Sequence, residues 1–355
     1  MKSPLNPLLA RLRSKIANPD HQGGMVDVTA VIQNALRGAG LIKSDHPQAP
    51  RAADNEVIEG EFHVLDEVGT PQSRRARPQS AAGSFTAGNF THEGSSRQYK
   101  LFLPAGHAGT RLPLIVMLHG CTQDPDDFAR GTRMNQLAQE PGAIVLYPAQ
   151  APRSNTSKCW NWFQPGDQRR DHGEPALLAA LTRQIIGTQA VDPDRVYVTG
   201  LSAGGAMAAI LGREYPDLFA AIGVHSGLAA GAAHDIPSAF AAMKKAPAAS
   251  PQLSDVPVIV FHGDRDATVD PANAHGVIGS SRSSEGRKVE EGNAGHRYTR
   301  SVYSVSGQVR AEHWLVHGAG HAWSGGSSEG SYVDIQGPDA SREMLRFFME
   351  HPRGR

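Results

Sequence analysis

From about residue 83 the chain alternates short unbroken apolar runs with stretches of helical periodicity. The runs fall at 112–118, 143–147, 195–199, 220–225, 256–261 and 313–316. The helical stretches fall at about 126–139, 174–188, 203–215 and 338–350. A strand that is apolar on every residue is buried on both faces. Such strands alternating with helices predict a mostly parallel central sheet flanked by helices. Two alternating segments, 84–91 and 97–104, precede the first run and are separated by Gly94, Ser95 and Ser96. They read as an antiparallel pair. Pro338 and Asp339 mark the start of the last helix. The sequence shows no internal repeat.

Before residue 83 the texture differs. Leu5, Leu8, Leu9, Leu12 and Ile16 follow helical spacing with Arg11, Arg13 and Lys15 opposite, and Val28, Val31, Ile32 and Ala35 repeat the pattern. Residues 1–40 therefore read as short amphipathic helices that pack on their own domain or dock on an apolar surface. Residues 41–82 carry four prolines, a basic run at Arg74, Arg75 and Arg77, and few large apolar groups. They read as a flexible, disordered linker. Residues 83–355 are left as the catalytic domain.

Composition narrows the functional classes. Thirty-five basic residues balance 35 acidic ones, so a nucleic-acid role has no electrostatic support. No apolar run approaches the ~18 residues of a membrane span. The first residues are broken by Pro, Asn and Arg and do not read as a secretory signal, which leans towards the cytoplasm. The two cysteines, Cys121 and Cys159, are too few for a disulfide framework or a Cys-based zinc site. They read either as one bridge in an oxidising compartment or as two small buried thiols.

The chemistry starts at residues 195–205, where a β-branched strand runs into Gly200-Leu201-Ser202-Ala203-Gly204 and then directly into a helix. That is the setting of a nucleophile elbow, in which small neighbours let a tight turn lift the Ser202 hydroxyl above the sheet. Gly326-Ser327-Ser328-Glu329-Gly330 fits the same spelling but lacks a preceding strand, and reads as a loop. Serine needs a neighbouring base, and on this architecture the order is Ser, then Asp or Glu, then His. The strand at 256–261 ends in His262-Gly263-Asp264-Arg265-Asp266, where Asp266 is the chosen acid, with Asp264 and Asp270 as competitors. The strand at 313–316 ends in His317-Gly318-Ala319-Gly320-His321, where His321 is the chosen base and His317 the alternative. Charge on an acyl intermediate needs backbone donors. Ala203 N–H and Cys121 N–H, in the loop His119-Gly120-Cys121-Thr122-Gln123, are the candidates. Trp160, Trp162 and Trp323 are candidate pocket residues, with plain packing as the other reading of each; His119 is a pocket candidate too, but reads first as a strand-end histidine bonded to backbone that helps catalysis only indirectly.

Taken in order, His119-Gly120-Cys121-Thr122-Gln123, Cys159-Trp160-Asn161-Trp162-Phe163, Gly200-Leu201-Ser202-Ala203-Gly204-Gly205, His262-Gly263-Asp264-Arg265-Asp266 and Gly318-Ala319-Gly320-His321-Ala322-Trp323 resemble the PHB depolymerase family of esterases. These are α/β-hydrolase-fold enzymes related to feruloyl and acetylxylan esterases, and the resemblance covers about residues 83–350. It implies hydrolysis of poly(3-hydroxybutyrate), its oligomers or related short hydroxyacyl esters. It assigns Ser202, Asp266 and His321 as a triad and suggests a Cys121–Cys159 bridge. It implies an ester substrate, no cofactor and no metal, and leans towards the extracellular region, against the reading of the first residues. A feruloyl or acetylxylan esterase is the alternative on the same scaffold. A non-catalytic α/β-hydrolase-fold binding protein is the alternative of another class.

Overall fold

The computed structural model describes residues 83–106, 109–247, 256–279 and 286–354. The amphipathic helices expected over 1–40 and the linker over 41–82 lie outside the described residues. Ten strands form one sheet: β1 (Ser84–His92), β2 (Ser95–Leu103), β3 (Leu112–Leu118), β4 (Ile144–Pro148), β5 (Val191–Leu201), β6 (Ala221–His225), β7 (Val258–Gly263), β8 (Gly286–Ala294), β9 (His296–Val305) and β10 (Gln308–Val316). Their spatial order is β1-β2-β4-β3-β5-β6-β7-β10-β9-β8. The central strands from β4 to β10 are parallel. Antiparallel strands extend the sheet at both edges. A further short pair, β11 (Trp323–Ser324) and β12 (Val333–Asp334), lies outside this sheet.

The helices are α1 (Pro125–Thr132), α2 (Met134–Ala138), α3 (Gly173–Thr188), α4 (Ala203–Glu214), α5 (Ile236–Lys244), α6 (Asn273–Ile278) and α7 (Ala340–Glu350), with a 3₁₀ turn at Pro165–Gln168. Because side chains alternate along a strand, each central strand feeds two cores. Leu114, Val116 and Leu118 of β3 pack with Leu178 and Leu181 of α3 and Met207 and Ile210 of α4. Ile115 and Met117 pack with Phe128 of α1, Met134 of α2 and Phe347 and Phe348 of α7. This three-layer build is the α/β-hydrolase fold. Among the described residues no helix is long and apolar enough to cross a membrane.

Three features depart from the sequence reading. The helix expected over 126–139 is two helices, because Arg133 adopts a left-handed conformation (φ 53°) between them. There its N–H bonds Ala129 O and closes α1. The β8–β9 hairpin was not foreseen, since its polar, charged strands carry no apolar run. Helix α5 was also missed, although Asp235 and Ser238 form a reciprocal capping box at its start.

Candidate active site

Three loops at the carboxyl ends of parallel strands build the site, the end at which open α/β sheets bind ligands. The first follows β5. Ser202 is held at φ 57° and ψ −118°, outside the ordinary regions for an L-residue. Its N–H donates to His225 O at 2.9 Å, tying the turn to β6. The glycines explain why the turn is tolerated. A Cβ on Gly204 would lie 2.1 Å from Leu118 O, and one on Gly200 would lie 2.4 Å from the Gly204 backbone. Helix α4 begins at the next residue, so its unpaired first N–H groups face the same side as the serine.

The second loop follows β7 and buries Asp266. Its Oδ1 accepts from Thr268 N (2.9 Å) and Val269 N (2.8 Å). Its Oδ2 lies 2.7 Å from His321 Nδ1 and 3.3 Å from His262 Nε2. Burial alone would raise this carboxyl, but hydrogen bonds from His262 and His321 overcome it and hold the group well below the usual carboxylate range. His262 also reaches Val269 O through Nε2 at 2.9 Å. The third loop, after β10, carries His321. Arg265 N bonds Ala319 O at 3.0 Å, so the second and third loops are stitched by backbone as well as side chain.

The two runner-up residues pair with each other. Asp264 accepts from His317 Nδ1 (3.0 Å) and Gly318 N (2.7 Å), bracing the base of the His321 loop. Asp270 instead accepts from Ala272 N at 2.8 Å in a turn before α6. Gly326–Gly330 is a loop, anchored by Ser327 N on Gly131 O.

Ser202 and His321 face one cavity of about 1040 Å³ including its open mouth. Gly120, Cys121 and Ala203 lie in its wall beside Ser202. Thr122 N–H is tied to Ser157 O at 2.7 Å. Gln123 accepts from Gly120 N through Oε1 and donates through Nε2 to Asp127 and Ser331, which fixes the loop from behind. A disulfide joins Cys121 to Cys159 in the same wall.

Of the four candidate pocket residues, Trp162 lines the cavity and the other three do not. Trp160 is wholly buried and donates to His119 O at 3.0 Å. Trp323 is wholly buried, donates to Ser341 Oγ and packs against Phe128 and His225. His119 sits behind the loop, with Nδ1 on Gly120 O (2.7 Å) and Nε2 accepting from Gln150 N (3.1 Å). Each has its polar atom satisfied inside the protein, which is the packing reading. The apolar wall comes from residues the sequence reading passed over: Leu228, then Ile236, Ala239, Phe240 and Met243 of α5, Val269, and Tyr332. The capping box at Asp235 was the available signal for α5. Nothing local marked Tyr332. Among the described residues no group of three His, Cys, Asp or Glu side chains gathers as a metal site.

Comparison with known proteins completes the picture. The family model for the esterase PHB depolymerases matches residues 97–286. Poly(3-hydroxyalkanoate) depolymerase C of Paucimonas lemoignei is 31% identical over 65% of this chain and 59% of that protein. Poly(3-hydroxybutyrate) depolymerase of Ralstonia pickettii is 30% identical over 72% of this chain and 56% of that protein. The chain thus spans less than two thirds of the length of these relatives. Feruloyl esterase B of Neurospora crassa is 35% identical over 36% of this chain and 44% of that protein. Among solved structures, the acetyl xylan esterase from Aspergillus awamori shares the fold, with a TM-score of 0.56 at 20% identity over 66% of this chain and 94% of that one. The family match spans more than half the chain and contains the serine turn, the Asp266 loop and the Cys121 loop: this protein belongs to the PHB depolymerase family of esterases.

Proposed function

We propose that the chain is a serine esterase that works through an acyl-enzyme, with Ser202 as nucleophile, His321 as base and Asp266 as the residue that orients His321. The observation that carries this reading is the 2.7 Å contact of Asp266 with His321 Nδ1, with His321 and the strained Ser202 facing one cavity. An ionised Asp266 keeps the proton of His321 on Nδ1, so Nε2 is free to take the Ser202 proton. Ser202 Oγ then attacks the ester carbonyl, and the N–H groups of Cys121 and Ala203 receive the charge that develops on its oxygen. The intermediate collapses, His321 returns the proton to the departing alcohol, and an acyl group remains on Ser202. Water, deprotonated by His321, attacks that acyl group, and the acid leaves as Ser202 regains its proton.

The acyl chains proposed are short hydroxyacyl units, those of poly(3-hydroxybutyrate), its oligomers or related esters. Both depolymerase relatives support this reading. A feruloyl or acetyl carbohydrate ester is the second reading, supported by Trp162, Phe163, Phe240 and Tyr332, which could flank a planar acyl group. Turnover of 3-hydroxybutyrate oligomers beside feruloyl and acetyl esters tests both. Hydroxybutyryl hydrolysis abolished in Ser202→Ala is expected. Activity on feruloyl esters alone would favour the second reading, and an undiminished Ser202→Ala enzyme would end both.

A further inference from the structure

Among the described residues Lys244 is the single Lys, Arg, Asp or Glu lining the cavity, where it stands exposed; most of its neighbours there are apolar or aromatic, with Gln123, Ser202, Thr268 and His321 the polar side chains. It stands in the last turn of α5, and its Nζ donates to Ala267 O at 2.8 Å. Ala267 immediately follows the triad acid, so this bond fixes the ammonium where α5 meets the Asp266 loop. No carboxylate among the described residues pairs with Lys244. An ammonium carries three donors, so two remain for a ligand. Lys244 is exposed at the mouth of the cavity, so these donors face solvent until a ligand that carries a negative charge there meets them. The interior of a polyester has none, whereas a short hydroxyacid oligomer has one at its acid end.

We propose that Lys244 receives a free carboxylate on the substrate, so that the site prefers hydroxyacid oligomers with an ionised acid end over neutral esters of equal length. This rests on the esterase reading above and names its substrate class. The test compares kcat/KM for the 3-hydroxybutyrate trimer as its free acid and as its neutral primary amide. The wild-type enzyme should prefer the acid by about three- to tenfold, the range of a partly exposed charge-assisted contact. Lys244→Met should erase that ratio, mainly through KM, and Lys244→Glu should invert it. A ratio unchanged between wild type and Lys244→Met, or a wild-type preference for the amide, would overturn the proposal. Calorimetric binding of the same two trimers to Ser202→Ala, with and without Lys244→Met, separates this inference from the esterase reading. Acid binding that weakens with the lysine removed supports the carboxylate site even if no ester is turned over. Equal binding of acid and amide by Ser202→Ala counts against it even in an active enzyme.

Discussion

Asp266 meets four donors with two oxygens: two backbone N–H groups on one and two imidazoles on the other. That arrangement suits an anion, and on the proposed mechanism replacing it with a neutral amide removes both the charge and the tautomer control of His321. Asp266→Asn should therefore lower kcat by a factor on the order of 10⁴ while leaving the far-ultraviolet circular dichroism unchanged. On the proposed mechanism His262 would act through Asp266, which its Nε2 approaches to 3.3 Å. Its replacement by leucine should cost about tenfold in kcat, with glutamine, which keeps a donor, retaining more. Equal rates for the leucine and glutamine variants would remove His262 from the relay. The loops that carry Ser202, Asp266 and His321 were legible in the sequence because each follows an apolar strand, and strand ends are where this architecture places its ligand-binding loops. Lys244, Phe240 and Tyr332 were not, because what brings them to the cavity is packing between segments far apart in the chain. Trp160 and Trp323, pocket candidates that lie elsewhere, were proposed for nearness in sequence to site motifs, whereas His119 has the backbone-bonded place its strand end suggested. Nearness along the chain says nothing about which face a side chain takes.

The elements around the serine carry their own constraints. Gly204 lies against Leu118 O so closely that no Cβ fits. Gly204→Ala should force α4 away from β3 and destabilise the fold by at least about 1–3 kcal/mol, read as a lowered midpoint in urea. The disulfide closes a segment with a sequence separation of 38 that includes β4 and part of the Cys121 loop. By chain entropy its loss should cost about 3–4 kcal/mol. The Cys121→Ser, Cys159→Ser double variant should show that drop in chemical denaturation and, if Cys121 N–H has its proposed role, a reduced kcat as well. The parallel core was legible at this scale because β3 to β7 and β10 are apolar on consecutive residues. The β8–β9 hairpin was not, since an edge strand with polar residues on both faces has no period to read. The break at Arg133 was hidden because a left-handed arginine leaves no mark in an otherwise helical pattern.

At the scale of the whole molecule, buried titratable groups set the response to acid. Burial pushes His119 down to about 4 and holds His225 well below an exposed imidazole. Both are neutral in the fold and bind protons more readily once unfolded. Their contribution is fully present above about pH 6.5 and is lost as the pH falls towards about 4. Glu174 works in the opposite sense: burial, with Asp167 adding, pushes it up to about 7. It therefore costs stability as the pH rises from its unfolded value through about 7. Two histidines against one carboxyl should leave a melting temperature that falls on acidification below neutrality. Glu174→Gln removes the opposing contribution and should make that fall steeper; a shallower fall would contradict the assignment. The fold that buries these groups also brings the serine, imidazole and carboxylate to one rim of the sheet. Peptide mass spectrometry after reaction with a fluorophosphonate tests that convergence. One adduct per chain is expected, on Ser202, appearing in step with loss of ester hydrolysis. Full hydrolytic activity in a completely labelled protein, or a labelled serine elsewhere with Ser202 untouched, would contradict it.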